Sequence, residues 1–177
     1  EQYMRDPSWP EWQALYEASG RRIAKFNVAP RRAGALAAIR AAAAAGILVS
    51  MGHCGPEPAT IAAAVEAGAT LVTHLGNGAP PEIHRHRNPF WTWLADDRIR
   101  VGLIPDGYHL PGDFLRTALK IKGDGAYLVS DSASTAGLAP MPPCAEPRDA
   151  RTPEASTRWA VSRRFLSAAA SYSIFAR

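Results

Sequence analysis

The chain has 177 residues, 47% of them apolar and 20% charged, which gives room for one domain with a real core and little more. Its net charge of +4 would attract an anionic partner, but the 17 Arg and three Lys form no basic stripe with interleaved aromatics, so neither DNA nor RNA is an expected partner. No run approaches the ~18 apolar residues of a membrane helix, and Cys54 and Cys144 form neither a CxxC nor a zinc-knuckle spacing, which points to reduced thiols, no disulfide framework and a cytoplasmic setting.

Ser8 and Glu11 form an S-x-x-E capping box with Pro10 in the first turn, which predicts a helix over Trp9–Ala18 that stops at Gly20. Ile23–Val28 reads as a strand, and the alanine-rich stretch Arg31–Ala45 as a helix ended by Gly46. The apolar run 47–52 predicts a strand leading into His53. A helix over 57–67 then closes at Gly68, and the run 69–74 is a second buried strand ending on His74. After a long loop, Leu75–Pro89, come a short helix over Phe90–Asp96, a strand over Arg100–Ile104, a helix over Gly112–Lys122 and a strand over Ala126–Ser130.

Five strands alternating with helices imply βαβ units and a parallel sheet. Five units are too few for a closed eight-stranded barrel of about 250 residues. The expected fold is therefore α/β, either an open doubly wound sheet or part of a TIM-type (β/α) barrel. All 14 glycines lie at or before Gly137, so residues 1–137 are expected to form the folded part and 138–177 a Pro/Ala/Arg-rich linker and tail. In that tail Trp159, Phe165, Leu166, Ala169 and Tyr172 can line one face of a single helix.

All five histidines fall between His53 and His109, and each lies at the carboxyl end of an expected strand or in the loop after it. Barrel enzymes place their chemistry at that end of the sheet. A lone strand-end histidine is ordinarily structural. Two on adjacent strands, His53 and His74, share a register that favours a metal site, with neutral imidazoles holding a divalent cation that acidifies water. A carboxylate on a neighbouring strand, Asp131, can then take a proton and return it, although an isolated Asp after a strand also caps helices. Asn77-Gly78 can be a plain turn or a set of bare amides suited to phosphate, and Asp106-Gly107 before His109 is a turn signal in its own right. His84 to Arg87 is a basic loop, a solvated one unless an anion sits there.

Taken together these runs resemble N-acetylglucosamine-6-phosphate deacetylase and its near relatives in the amidohydrolase superfamily. The likeness is carried by Val28-Ala29-Pro30, Gly52-His53, Ala67-Gly68-Ala69, Thr73-His74-Leu75-Gly76-Asn77-Gly78-Ala79, Arg85-His86-Arg87-Asn88-Pro89, Asp106-Gly107-Tyr108-His109-Leu110-Pro111 and Ser130-Asp131, in that order. It implies a partial (β/α) barrel made of strands four to eight. It also implies His53 and His74 as ligands of zinc or iron, and Asp131 as the general base that later protonates the departing amine. His109 would contact the substrate near the reacting amide or the sugar hydroxyls. Asn77, the amide of Gly78 and Arg85 would hold the phosphate, Arg85 reaching across a homodimer interface. The implied reaction is release of acetate from an N-acetyl amino-sugar phosphate, a small-molecule substrate with no nucleic acid or membrane as partner.

The sequence also departs from the family pattern. Gly76 stands where an aromatic is usual, Gly78 where Ala is usual, and Cys54 replaces the Ser or Thr beside the first histidine, as a thiol that either packs or approaches the metal. The family's glutamate metal ligand lies on its third strand, upstream of residue 1. Two other functions therefore stand beside the deacetylase: a catalytically incomplete chain lacking that glutamate, and an amidohydrolase acting on a different amide.

Overall fold

A computed structural model describes residues 5–132. The predicted tail 138–177 and Cys144 lie outside the described residues. The unit that ends at Ser130 holds all of the secondary structure given below, and Asp131 begins the next unit.

Five short strands, β1 (Lys25–Val28), β2 (Leu48–Met51), β3 (Ala69–Val72), β4 (Arg100–Leu103) and β5 (Ala126–Leu128), form one sheet in the order β1-β2-β3-β4-β5. Every neighbouring pair is parallel. Helices α1 (Trp9–Ala18), α2 (Ala35–Ala44), α3 (Pro58–Glu66), α4 (Pro89–Ala95) and α5 (Gly112–Lys122) alternate with them. This is the expected partial α/β barrel: sequential parallel strands, each reached by a crossover helix.

The pairing register separates two faces. Phe26 opposite Val49, Val28 opposite Met51, and Val72 opposite Val101 lie on the face that the helices cover. There they pack with Ile39 and Ala42 of α2, Ile61 and Ala64 of α3, Trp93 of α4 and Ala118 of α5. Trp12 of α1 closes one end of this core, its ring meeting that of Phe26 edge to face at 4.4 Å. The opposite face carries Lys25, Asn27, Leu48 and Arg100, all exposed. On it Tyr127 lies across β4, where only the missing side chain of Gly102 leaves room: a Cβ there would come within 3.0 Å of the ring. The phenol donates to the carbonyl of Val72 at 3.4 Å, and burial raises its pKa.

Two local expectations need correction. Ser8 is the N-cap of α1 by backbone position, but its side chain makes no capping bond, and Glu11 instead accepts from Arg5 at 2.5 Å. The guanidinium competes for the carboxylate on which the capping box depends. The helix expected from Arg31 begins only at Ala35, because Arg31–Gly34 is a tight turn ending on Gly34 at φ +76°. Alanine propensity takes over only after that turn. The strands also stop earlier than the apolar runs suggest, since the chain turns sharply at His53 and His74.

At the end of the sheet opposite the histidines, Lys122 Nζ donates to the carbonyls of Asp96 at 2.8 Å and Trp93 at 3.4 Å, satisfying the end of α4. Burial pulls its pKa down, with the nearby Asp97 and Asp96 partly opposing.

Candidate active site

His53 follows β2 after a single residue, Gly52, and His74 follows β3 after Thr73, so the two leave adjacent parallel strands at the same height. Both adopt left-handed backbone, φ +53° and +34°, a conformation L-residues enter at a cost of about 1–2 kcal/mol. Such strain collects at functional sites. The result is a convergent pair: the two Nε2 atoms are 3.0 Å apart and the rings meet edge to face at 89°. Two imidazole nitrogens bound at ~2.0–2.1 Å to one tetrahedral ion lie about 3.3 Å apart. The pair therefore fits two positions of a divalent-cation site with an adjustment of a few tenths of an ångström. His74 is buried; its Nε2 is the nitrogen that meets His53, while its Nδ1 has no hydrogen-bond partner. Among the described residues no group of three or more His, Cys, Asp or Glu converges to hold a metal.

The loop after β3 closes over this pair. Gly78, at φ +72°, packs so tightly that a Cβ would sit 3.1 Å from His53 Cα and 3.4 Å from His74 Cε1. The Asn77 amide donates to the carbonyl of His74 at 2.9 Å, while its side-chain Nδ2 is buried with no partner. Gly76, at φ +95°, faces Leu110 and Phe114: a Cβ there would come within 2.5 Å of Leu110 Cδ2. The room that an aromatic at position 76 would need is already filled from α5 and the loop before it.

A polar chain that carries no sequence motif lies beneath the pair. Thr73 Oγ1 donates to Asn27 Oδ1 at 3.0 Å and stands 2.5 Å from Ser50 Oγ. The single proton of Thr73 is thereby committed to Asn27, so the buried Ser50 donates to Thr73. These bonds join the ends of β1, β2 and β3 where the histidines emerge. Gly52 makes the crossing possible, since a Cβ there would be 3.0 Å from Asn27 Oδ1. The available signal was a polar residue, Asn27, Ser50 or Thr73, in or just after each of the first three apolar runs. Cys54 packs: it is buried, and desolvation pushes its thiol up to about 11, with Arg31 partly opposing. A neutral thiol of this kind is unreactive at neutral pH.

The remaining candidates sit in separate loops. Arg85 is exposed on a stretch held by side-chain-to-backbone bonds. Asn88 Oδ1 accepts from the amides of Phe90 and Trp91 to cap α4, while its Nδ2 donates to the carbonyls of His84 and Arg85. His84 Nδ1 accepts from the amides of His86 and Arg87 at 3.1 and 3.0 Å, so that nitrogen carries no proton. His109, in the loop after β4, lines a cavity of about 280 Å³ together with Gly76 and Ala79. It is therefore a neighbour of the loop that covers the His pair. Asp131 lies three residues beyond β5, exposed and at φ +50°. His53, His74 and Gly78 are thus brought into contact; Asn77 and Arg85 belong to the one long loop after β3, and His109 to the loop after β4.

A parallel β/α sheet with a convergent histidine pair and a glycine-rich loop at its carboxyl end defines part of an enzyme-type α/β barrel. Comparison with known proteins then points to one particular kind. No family model matches the chain. It is 33% identical over 129 residues to the N-acetylglucosamine-6-phosphate deacetylase of Lysinibacillus sphaericus, covering 72% of this chain and 33% of that protein. It is 35% identical over 125 residues to the deacetylase of Danio rerio, covering 67% and 30%. The crystal structure of the Mycobacterium smegmatis N-acetyl-D-glucosamine-6-phosphate deacetylase superposes with a TM-score of 0.72 at 32% identity, over 77% of this chain and 39% of that one. A variant of that enzyme has been solved in complex with N-acetyl-D-glucosamine-6-phosphate. Over the stretch they share, the chain is a relative of the N-acetylglucosamine-6-phosphate deacetylases. It spans about a third of the length of the curated relatives it matches.

Proposed function

We propose that the chain carries the histidine and phosphate-loop part of a metal-dependent hydrolase that deacetylates an N-acetyl amino-sugar phosphate such as N-acetylglucosamine 6-phosphate. The observation that supports it most is the His53–His74 pair, two Nε2 atoms 3.0 Å apart at the ends of adjacent parallel strands. His53 and His74 would hold a zinc or iron ion through these nitrogens. Bound there, the cation supplies Lewis acidity toward water and the amide carbonyl.

The chain's own residues do the rest. The Gly78 amide and the unpartnered Nδ2 of Asn77 donate to the phosphate, and Arg85 adds a charge-assisted fork, reaching across a homodimer interface. His109 orients the sugar from the cavity it lines. Asp131, by its place in the motif after the last strand, takes a proton during attack and returns it to the departing amine, a role worth roughly 10²–10⁴ in rate.

The test is acetate release from N-acetylglucosamine 6-phosphate by the purified chain loaded with zinc or ferrous iron. The expected result is turnover that disappears in His53→Ala and in Asp131→Asn, with metal content retained in the second variant. Full activity of Asp131→Asn overturns its assignment. A second reading, a catalytically incomplete chain that binds metal or sugar phosphate weakly, is favoured by the lack of a third ligand among the described residues. Structural sites normally use four protein ligands and catalytic ones three. Less than about a tenth of an equivalent of metal after dialysis, with no acetate formed, selects that reading.

A further inference from the structure

The loop after β4 contains a pairing that the proposed chemistry does not use. Asp106 Oδ1 accepts the backbone amides of Tyr108 at 2.9 Å and His109 at 3.0 Å, while Oδ2 lies 2.7 Å from His109 Nδ1. Gly107 makes the fold-back possible at φ +82°, with open space where its Cβ would be, so conformation and not crowding requires glycine there. The amide of His109 above all, then that of Tyr108 and the His109 ring, hold the carboxyl down to about 2 against a smaller opposing effect of desolvation. An ionised carboxylate only accepts, so the proton in the Asp106–His109 bond resides on Nδ1. In the neutral ring Nε2 is then a bare acceptor.

We infer that Asp106 is a positioning residue that locks His109 in the Nδ1–H tautomer, so that His109 recognises a hydrogen-bond donor on its ligand, a hydroxyl or an N–H, and not an anion. This rests on the reading of His109 as a substrate contact. The cavity it lines is otherwise walled mainly by Pro80, Ile83, Phe90 and Phe114, which offer a ligand no competing side-chain polar group. An acceptor nitrogen facing a phosphate oxygen repels it, whereas the same nitrogen facing a sugar hydroxyl binds it. Within the proposed site, phosphate recognition then falls to Asn77, Gly78 and Arg85, and His109 reads the sugar.

Long-range proton–nitrogen NMR correlations on the full chain, with its histidines labelled with nitrogen-15, report the tautomer directly. With the ring in its neutral form, His109 is expected to show a protonated Nδ1 and an unprotonated Nε2. Asp106→Asn keeps Oδ1 to accept both amides but replaces Oδ2 with an NH₂ that donates to Nδ1, so the ring is expected to switch to Nε2–H while the backbone spectrum is retained. An Nε2–H tautomer in the wild-type chain overturns the inference, and that measurement needs no variant to fold. An unchanged tautomer in a folded Asp106→Asn chain overturns it equally. Titration with N-acetylglucosamine should shift His109 Nε2, and titration with inorganic phosphate should not. A shift with phosphate, or none with the sugar, refutes donor recognition. The tautomer is read without turnover, so a chain that releases no acetate yet shows Nδ1–H separates failure of the deacetylase reading from failure of this one.

Discussion

Three glycines with left-handed backbone allow a graded test of how the loops around the histidine pair are built. Gly107, Gly78 and Gly76 have φ of +82°, +72° and +95°, and their alanine variants differ in what the new methyl meets. At Gly107 nothing lies within 4 Å, so the variant reports backbone strain alone, about 1 kcal/mol once the stiffer unfolded chain is allowed for. At Gly78 the methyl would stand 3.1 Å from His53 Cα, a backbone atom that gives only by moving the histidine. At Gly76 it would stand 2.5 Å from Leu110 Cδ2 and 3.2 Å from Phe114 Cε1, so overpacking adds about 1–3 kcal/mol to the strain.

Urea unfolding followed by tryptophan fluorescence should therefore rank the losses Gly107→Ala, then Gly78→Ala, then Gly76→Ala, with the last near 2–4 kcal/mol. Gly78→Ala should in addition weaken zinc binding about tenfold in a chelator competition, equivalent to about 1.4 kcal/mol, because it alone pushes on the His pair. Equal losses for all three, or a larger effect on zinc from Gly107→Ala than from Gly78→Ala, would refute the reasoning.

Further outcomes are expected elsewhere. His74→Ala and His53→Ala should each abolish zinc-dependent thermal stabilisation of the chain, measured by calorimetry with and without the metal. Asn88→Ala removes the cap of α4 and two of the bonds that hold the Arg85 loop, leaving the bond from Trp91 Nε1 to the Arg85 carbonyl; it should lower stability by about 1–2 kcal/mol and speed tryptic cleavage after Arg85 and Arg87. The Asp106 carboxyl is depressed from 3.8 to about 2, so its stabilisation is complete above the unfolded value and is lost as pH falls toward about 2. The urea midpoint of the wild-type chain should fall across that window, and the gap to Asp106→Asn should close.

Much of the architecture was legible because it rests on patterns that repeat along the chain. The apolar runs, the glycine stops at Gly46 and Gly68 and the alternation of periods gave five parallel strands and the position of both histidines. What escaped were side-chain bonds whose partners sequence spacing alone does not bring together. Asn88 caps α4 and staples the Arg85 loop at once, which no local rule requires of an Asn before Pro89. The Ser8–Glu11 box failed because Arg5 outcompetes the N-terminal amides for the carboxylate. The chain Asn27–Thr73–Ser50 joins residues on β1 and β2 to the one just after β3, and only the pairing register brings them together. Gly76 and Gly78 were visible as departures from the family pattern, but their consequence needed the positions of Leu110, Phe114 and His53.

The strictly sequential strand order has a consequence for how such a protein can change length. Among the described residues each strand bonds only to the strands immediately before and after it in the chain, and no pairing there spans more than one strand–helix unit. Among the described residues β1 and β5 are the edges. A unit joined to either edge adds a ladder without breaking an existing one, and the helix it brings extends the outer layer beside α1 or α5. The His53–His74 junction, held by β2 and β3 inside the sheet, would stay fixed during such growth. Additions at the rim can therefore supply new groups to the site while the pair that anchors it is left undisturbed.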